Sequence, residues 1–149
     1  MKLRELMTHA VITAGREEPA VEVARTMRDR GVGSVVVTDA GGEPVGIVTD
    51  RDLAVRVLAE GGEGAEAGIG RYATTPLIAG EPEMDLEEAA ALMVSHRIRR
   101  LPLAEGGRLV GIVTLDDIAV RTGNLEVAQR MTAEVIEGAL PGFFFHERG

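Results

Sequence analysis

The chain has 149 residues, is 45% hydrophobic and 27% charged, carries a net charge of −8 at pH 7 and contains no cysteine. This is the balance of a soluble globular protein, and it excludes disulfides and thiolate metal sites. The charge argues against nucleic acid, whose binding rests on Lys and Arg neutralising phosphates, and aromatics at 3% are too few for a base-stacking platform. No apolar run approaches the roughly 18 residues of a membrane helix. Lys2, Arg4 and Glu5 interrupt the stretch where a signal peptide would be apolar, so a cytoplasmic location is expected.

In chain order, Val11-Ile12-Thr13 is the first apolar piece. Behind Pro19, the spacing of Val21, Ala24 and Met27 predicts a helix with these residues on its inner stripe. Ser34–Thr38 and Pro44–Thr49 predict two strands around the Gly41-Gly42 turn, and a second helix begins near Asp50. Ala59-Glu60-Gly61-Gly62-Glu63-Gly64 reads as a flexible connection. The grammar then recurs. Leu77-Ile78 is an apolar piece, and Asp85-Leu86-Glu87-Glu88 predicts a capping box for a helix with Leu86, Ala89, Ala90 and Met93 on one face. Arg99–Leu103 and Arg108–Thr114 predict strands around Gly106-Gly107, followed by a helix from Leu115. Beyond Gly123, Asn124 is an expected N-cap. A helix to about Leu140 would carry Ala128, Met131, Val135 and Ala139 on one stripe, with Ile136 and Leu140 beside it. Pro141-Gly142 ends it, before the cluster Phe143-Phe144-Phe145.

The two passages are a repeat. Shifted by 65 positions with no gap from Gly31 to Arg56, Gly41-Gly42 meets Gly106-Gly107, Val45–Thr49 meets Val110–Thr114, Asp52 meets Asp117 and Ala54-Val55-Arg56 meets Ala119-Val120-Arg121. The expected fold class is α/β (α+β): two β-α-β-β-α repeats plus a C-terminal helix. The expected division is 1–60 and 71–122 for the repeats, 61–70 for the Gly-rich linker and 123–149 for the extension. Each repeat is too small to bury much apolar surface alone. The pair is therefore expected to pack about a pseudo-two-fold axis, with two equivalent clefts between them.

GIVTDRD, Gly46 to Asp52, and GIVTLDD, Gly111 to Asp117, each run a strand into a helix. One reading is purely structural: Thr49 and Thr114 are N-caps, and Asp52 and Asp117 at the third helical position complete Thr-x-x-Asp boxes. The other uses the same geometry for a ligand. Amide N–H groups and a hydroxyl at a helix start suit phosphate oxygens. A carboxylate one turn in accepts two hydrogen bonds from a ribose diol, and the neighbouring apolar strands can enclose a flat base. Together these needs describe an adenosine nucleotide.

Here the chain resembles a tandem cystathionine-β-synthase (CBS) domain pair, also called a Bateman module. The resemblance rests on Leu6-Met7-Thr8, Gly31–Val37, Gly46–Asp52, Arg97–Leu103 and Gly111–Asp117, and covers roughly residues 3–122. With TDRD in the first half and IRRLP in the second, the layout is similar to small stand-alone bacterial members, including the hypoxic response type with its short helical extension. The resemblance implies a regulatory sensor of AMP, ADP, ATP, S-adenosylmethionine or NAD derivatives, possible with Mg²⁺ and with no cofactor required. It implies that Asp52 and Asp117 hold ribose while Thr49 and Thr114 lie near ribose and phosphate. The base slots would involve Ile12 with Gly33-Ser34, and Leu77 with Ile98-Arg99. It also implies a disc-like homodimer, to which the last helix and the Phe cluster would contribute.

The halves differ: Gly33-Ser34 stands against Ile98-Arg99, and Arg51 against Asp116. Arg51 and Arg99 are phosphate candidates, because a guanidinium matches phosphate bidentately. The alternative for Arg97, Arg99 and Arg100 is a solvated strand face in an acidic protein. His9, His96 and His146 show no metal-ligand spacing, and no catalytic triad, Walker loop or paired catalytic carboxylates appear, so an enzyme is not expected. The rival to a nucleotide sensor is an oligomeric scaffold with vestigial clefts. A transcription-linked factor is a weaker third reading that the charge disfavours. Any regulated effector protein would bind from outside.

Overall fold

The computed structural model describes residues 1–123 together with Glu126, Gln129, Arg130 and Ala133, which are helical. The apolar stripe expected after Gly123 and the cluster Phe143–Phe145 lie outside the described residues. Two compact units form, and they do not follow the repeat boundaries. One unit holds residues 9–79 with 104–110. The other holds 1–8, 80–103 and the described residues from Gly111 onward.

In the first-repeat unit, β1 (Thr13–Gly15) leads through α1 (Ala20–Arg30) to β2 (Ser34–Thr38), β3 (Pro44–Thr49) and α2 (Asp50–Leu53). β1 runs parallel to β2 with Thr13 opposite Val36, and β2 runs antiparallel to β3 with Ser34 opposite Thr49. α2 continues as a wider π-helical turn, Ala54–Leu58. The apolar core gathers Ala14, Val35, Val37 and Val48 of the sheet against Ala20, Val23 and Met27 of α1. The expected inner stripe of α1 is thus corrected: Ala20 and Val23 are buried with Met27, while Ala24 is exposed and Val21 half-buried. The four-residue step from Val23 to Met27 follows the helical repeat more closely than a strict three-residue spacing.

The Gly-rich stretch after α2 is not a free linker. Glu63–Glu66 forms a 3₁₀ turn, the Ala20 amide donates to the Ala67 carbonyl, and Tyr72 donates its hydroxyl to the Gly64 carbonyl at 3.0 Å. The chain then returns along the sheet: the amides of Thr74 and Ile47 donate to each other's carbonyls, at 2.8 and 3.3 Å. Gly46 makes this approach possible, because a Cβ there would lie 2.9 Å from the Thr74 carbonyl oxygen. Arg56 locks the segment by donating to the Tyr72 carbonyl at 2.8 Å.

The second-repeat unit is built alike, but its returning segment is the start of the chain. Its elements are α3 (Leu86–His96), the first part of β4 (Arg100–Glu105), the last part of β5 (Arg108–Thr114) and α4 (Leu115–Thr122), with β4 and β5 paired. Leu3, Leu6 and Met7 are buried with it, as are Met93, Leu101, Leu103, Val113 and Ile118. The amides of Thr8 and Ile112 donate to each other's carbonyls at 2.9 and 3.0 Å. A Cβ on Gly111 would lie 2.7 Å from Met7 Sδ and 3.1 Å from the Thr8 carbonyl oxygen. Arg121 donates to the carbonyls of Leu6 and Met7, at 2.9 and 3.0 Å.

The backbone corrects the register of the repeat. Val32 donates to Met27 as Ile98 donates to Met93, and Asp50 donates to the Gly33 carbonyl as Leu115 donates to that of Arg99. Gly31 ends α1 with φ 64°, and Arg97 ends α3 in the same left-handed region with φ 55°. The halves are therefore 66 positions apart before their hairpins and 65 after them. The gap sits in the turns. Gly106-Gly107, both at positive φ, close β4 on β5 directly. Asp39–Glu43 form a longer loop tied by Asp39 Oδ1, which accepts from the amides of Gly41 and Glu43. Leu77-Ile78 is not a strand. Gly80 instead bridges Leu103 in parallel, as Ala14 pairs with Val37. The capping box expected at Asp85 does not close: its side chain caps no amide and pairs with Lys2 at 3.1 Å.

Two substitutions test the returning segments. Gly46→Ala should lower unfolding stability by about 1–3 kcal/mol, because the new methyl meets backbone rather than a movable side chain. Arg121→Ala should cost about 1.5–3 kcal/mol by loss of charge-assisted bonds to two carbonyls. Urea denaturation measures both, and unchanged midpoints would contradict the packing.

Candidate functional site

Each GIVT strand ends where the chain turns into a helix. Thr49 and Thr114 keep extended backbones, with ψ of 166° and 164°, and the next residue is already helical. The turn exposes the first helical amides, which the Thr and Asp side chains partly satisfy. The Thr49 amide donates to Asp52 Oδ2 at 2.8 Å and the Asp52 amide donates to Thr49 Oγ1 at 3.2 Å. The Thr49 hydroxyl also donates to Asp52 Oδ2 at 3.1 Å. In the second repeat the Thr114 amide donates to Asp117 Oδ2 and the Asp117 amide donates to Thr114 Oγ1, both at 3.0 Å. All four side chains are half-buried. Within the described residues, neither Asp uses Oδ1 in a hydrogen bond, so each box leaves one carboxylate oxygen available.

Around the first junction, the β2–β3 pairing sets Ser34 beside Thr49, and the Gly33 carbonyl accepts from Asp50. The Ile12 carbonyl accepts from the Val36 amide, which places Ile12 immediately before β1 on the same sheet. Arg51 is exposed on the first turn of α2. In the second repeat, Arg99 and Thr114 line a cleft of about 200 Å³ together with Arg100, Leu115 and Asp116. Asp117 does not line it; its carboxylate turns back onto Thr114.

The corrected register changes two expected pairings. Arg99-Arg100, not Ile98-Arg99, stands where the first repeat has Gly33-Ser34, and Ile98 matches Val32. Likewise the counterpart of Ile12 is Ile78, and Leu77 matches Val11. Arg100 was thus missed. The shared αL helix ends at Gly31 and Arg97 mark the true alignment, but an Arg in that conformation carries no sequence signal comparable to glycine's. Among the described residues no group of His, Cys, Asp and Glu could hold a metal ion, and no helix is long and apolar enough to cross a membrane.

The boxes have a measurable worth. Thr49→Val and Thr114→Val should each lower unfolding stability by about 1 kcal/mol. Adding Asp117→Ala to Thr114→Val should cost less than Asp117→Ala alone, because both act through one box. Additive losses in denaturant titrations would contradict this.

Comparison with known proteins agrees with this architecture. The CBS domain family model matches residues 3–59 and again 69–121. An uncharacterised protein of Methanopyrus kandleri is 43% identical over 115 residues, 76% of this chain; the chain spans 59% of that relative's length. The CBS domain-containing protein YhcV of Bacillus subtilis is 38% identical over 126 residues, covering 85% of this chain and 89% of the relative. The crystal structure of hypoxic response protein I with two coordinated zinc ions superposes with a TM-score of 0.72 at 30% identity, covering 80% of this chain and 97% of that one. The chain, with its two matched repeats and two strand-to-helix Thr-x-x-Asp junctions, belongs to the CBS domain family.

Proposed function

We propose that the protein is a regulatory module that senses an adenosine-containing nucleotide at its Thr-x-x-Asp junctions. The observation that carries this reading is the unused Oδ1 of Asp52 and of Asp117 beside the start of a helix. A cis-diol can donate to that oxygen while Oδ2 keeps the cap intact, and the neighbouring guanidinium groups meet phosphate oxygens. At the first junction the base would rest on Ile12 and Gly33-Ser34, with Arg51 toward phosphate. At the second, Arg99 and Arg100 stand in the corresponding positions and share one cleft with Thr114. Asp116 lines that same cleft and offsets one of its two guanidinium charges. AMP, ADP, ATP, S-adenosylmethionine and NAD-type molecules share the required adenosine, and Mg²⁺ would accompany the polyphosphates. No catalysis is part of this reading, and the cytoplasm is the proposed compartment.

The module is proposed to act as a homodimer that signals to a separate effector. In the first-repeat unit, Val55 and Leu58 are 50% and 73% exposed, and an apolar face runs from Leu58 over Ala24, Leu53 and Ala54. An apolar surface of this kind seeks burial against a partner.

A second reading is an oligomeric scaffold, favoured by the fact that both boxes close fully as helix caps. Thermal unfolding separates the two. A nucleotide at about 100 times its dissociation constant should add roughly 2.7 kcal/mol, a rise of several degrees. That rise should vanish in Asp52→Ala or Asp117→Ala, whichever serves the occupied junction. No rise with AMP, ADP, ATP, S-adenosylmethionine or NAD, with and without Mg²⁺, favours the scaffold.

A further inference from the structure

The near-exact pairing of the two units exposes a difference at the end of the first-repeat unit remote from Thr49. In both units the returning segment crosses the approach to the first helix by matched bonds: Ile69 donates to Glu18 and Gly70 to Arg16, as Leu3 donates to Met84 and Arg4 to Pro82. In the second-repeat unit this crossing is filled. Lys2 pairs with Asp85, Arg4 pairs with Glu83 at 2.7 Å, Glu5 accepts from the Lys2 amide, and the Met7 side chain is 4% exposed. The matching positions in the first-repeat unit are Gly68, Gly70, Arg71 and Ala73. Three side chains shrink to hydrogen or methyl, and a carboxylate becomes a guanidinium.

At Gly68 and Gly70 the Arg16 residue takes the place of those side chains, and beside it lies a cavity of about 570 Å³. Val37, Val45 and Ala73 give it an apolar floor, and Arg16, Glu17 and Arg71 carry its charge. No hydrogen bond or ion pair to a carboxylate holds Arg16 or Arg71 among the described residues, although the protein as a whole is strongly acidic. Arg71 is positioned instead by the Tyr72 ring, 6.0 Å from the guanidinium carbon, and the Tyr72 hydroxyl is anchored on Gly64. Such a volume suits a small molecule, for which sites run roughly 300–1,000 Å³.

We propose that this cavity binds a small organic carboxylate, its head group between Arg16 and Arg71 and a compact apolar body over Val37, Val45 and Ala73. A guanidinium fork matches a carboxylate bidentately. Two cations beside Glu17 leave one net positive charge, which selects a monoanion over a polyphosphate. The cavity lies at the opposite end of β2 and β3 from Ser34 and Thr49, so this site is separate from the nucleotide junction and stands or falls alone.

The test is an amide-resolved NMR titration of the full chain with benzoate, and with benzyl alcohol as the uncharged match. Benzoate at millimolar concentration should shift the Gly68, Gly70 and Thr75 amides saturably, and benzyl alcohol should not. Arg16→Gln and Arg71→Gln, both at exposed positions, should each weaken benzoate at least about tenfold while leaving the remaining spectrum unchanged. Glu17→Gln should tighten it. Ala73→Met, which restores the residue of the other repeat, should abolish it. The proposal is overturned if benzoate causes no saturable shift at these amides, if benzyl alcohol binds equally well, or if the Arg variants bind as wild type does. Shifts confined to the Thr49 and Thr114 regions overturn it too.

Discussion

Each repeat of this protein lacks one edge of its own structure, and the chain supplies that edge from the segment preceding the other repeat. Thr74 pairs with Ile47 of β3 and Thr8 with Ile112 of β5, each at the end of a segment that first crosses before α1 or α3. Two features of the repeated motif make this possible. Its glycine, Gly46 or Gly111, leaves room for a backbone to cross, and the arginine at the far end of the following helix, Arg56 or Arg121, grips the carbonyls of the crossing segment. An Arg held by backbone carbonyls contributes through charge-assisted bonds, which are stronger than neutral ones. The motif glycine therefore answers a packing requirement, not a turn requirement. Neither glycine adopts a positive φ.

The same strands deliver the candidate site. Once β3 and β5 are fixed, their final residues, Thr49 and Thr114, are fixed as helix caps, and the Asp three residues on folds back onto the strand end. Capping and ligand binding are compatible at such a junction. Capping uses Oδ2 and the Thr oxygen, and a diol would use Oδ1. A ligand would meet carboxylates already oriented by the fold, which lowers the ordering cost of binding. The two junctions still differ in charge, with Ser34 and Arg51 at one and Arg100 and Asp116 at the other, so one chain can present two selectivities.

Much of this was legible in the residues. The strands Ser34–Thr38 and Pro44–Thr49 stand where alternation and the Gly-Gly turn put them, and both Thr-x-x-Asp boxes close. The failures have physical causes. A gap-free shift of 65 aligned the glycine pairs of the two hairpins, yet those turns differ in length, so everything upstream slid by one residue. That slip hid Arg100 and mispaired Leu77 with Ile12. Asp85 looked like a cap, but Lys2, distant in sequence, offers it an ion pair. The glycines after α2 suggested a free linker, whereas the segment is held by Tyr72 and by the bonds to α1 and β3. Each miss involves a partner supplied by tertiary structure, which local composition does not reveal.

The central claim is that Asp52 and Asp117 recognise a ribose diol with the oxygen their caps leave unused. Isothermal titration of AMP against its 2′,3′-dideoxy counterpart tests it most directly, because phosphate and base are unchanged between them. Removing both hydroxyls should weaken binding by roughly tenfold or more, the loss of hydrogen bonds to a charged acceptor. Equal affinity for the two nucleotides would mean that the carboxylates serve only as helix caps.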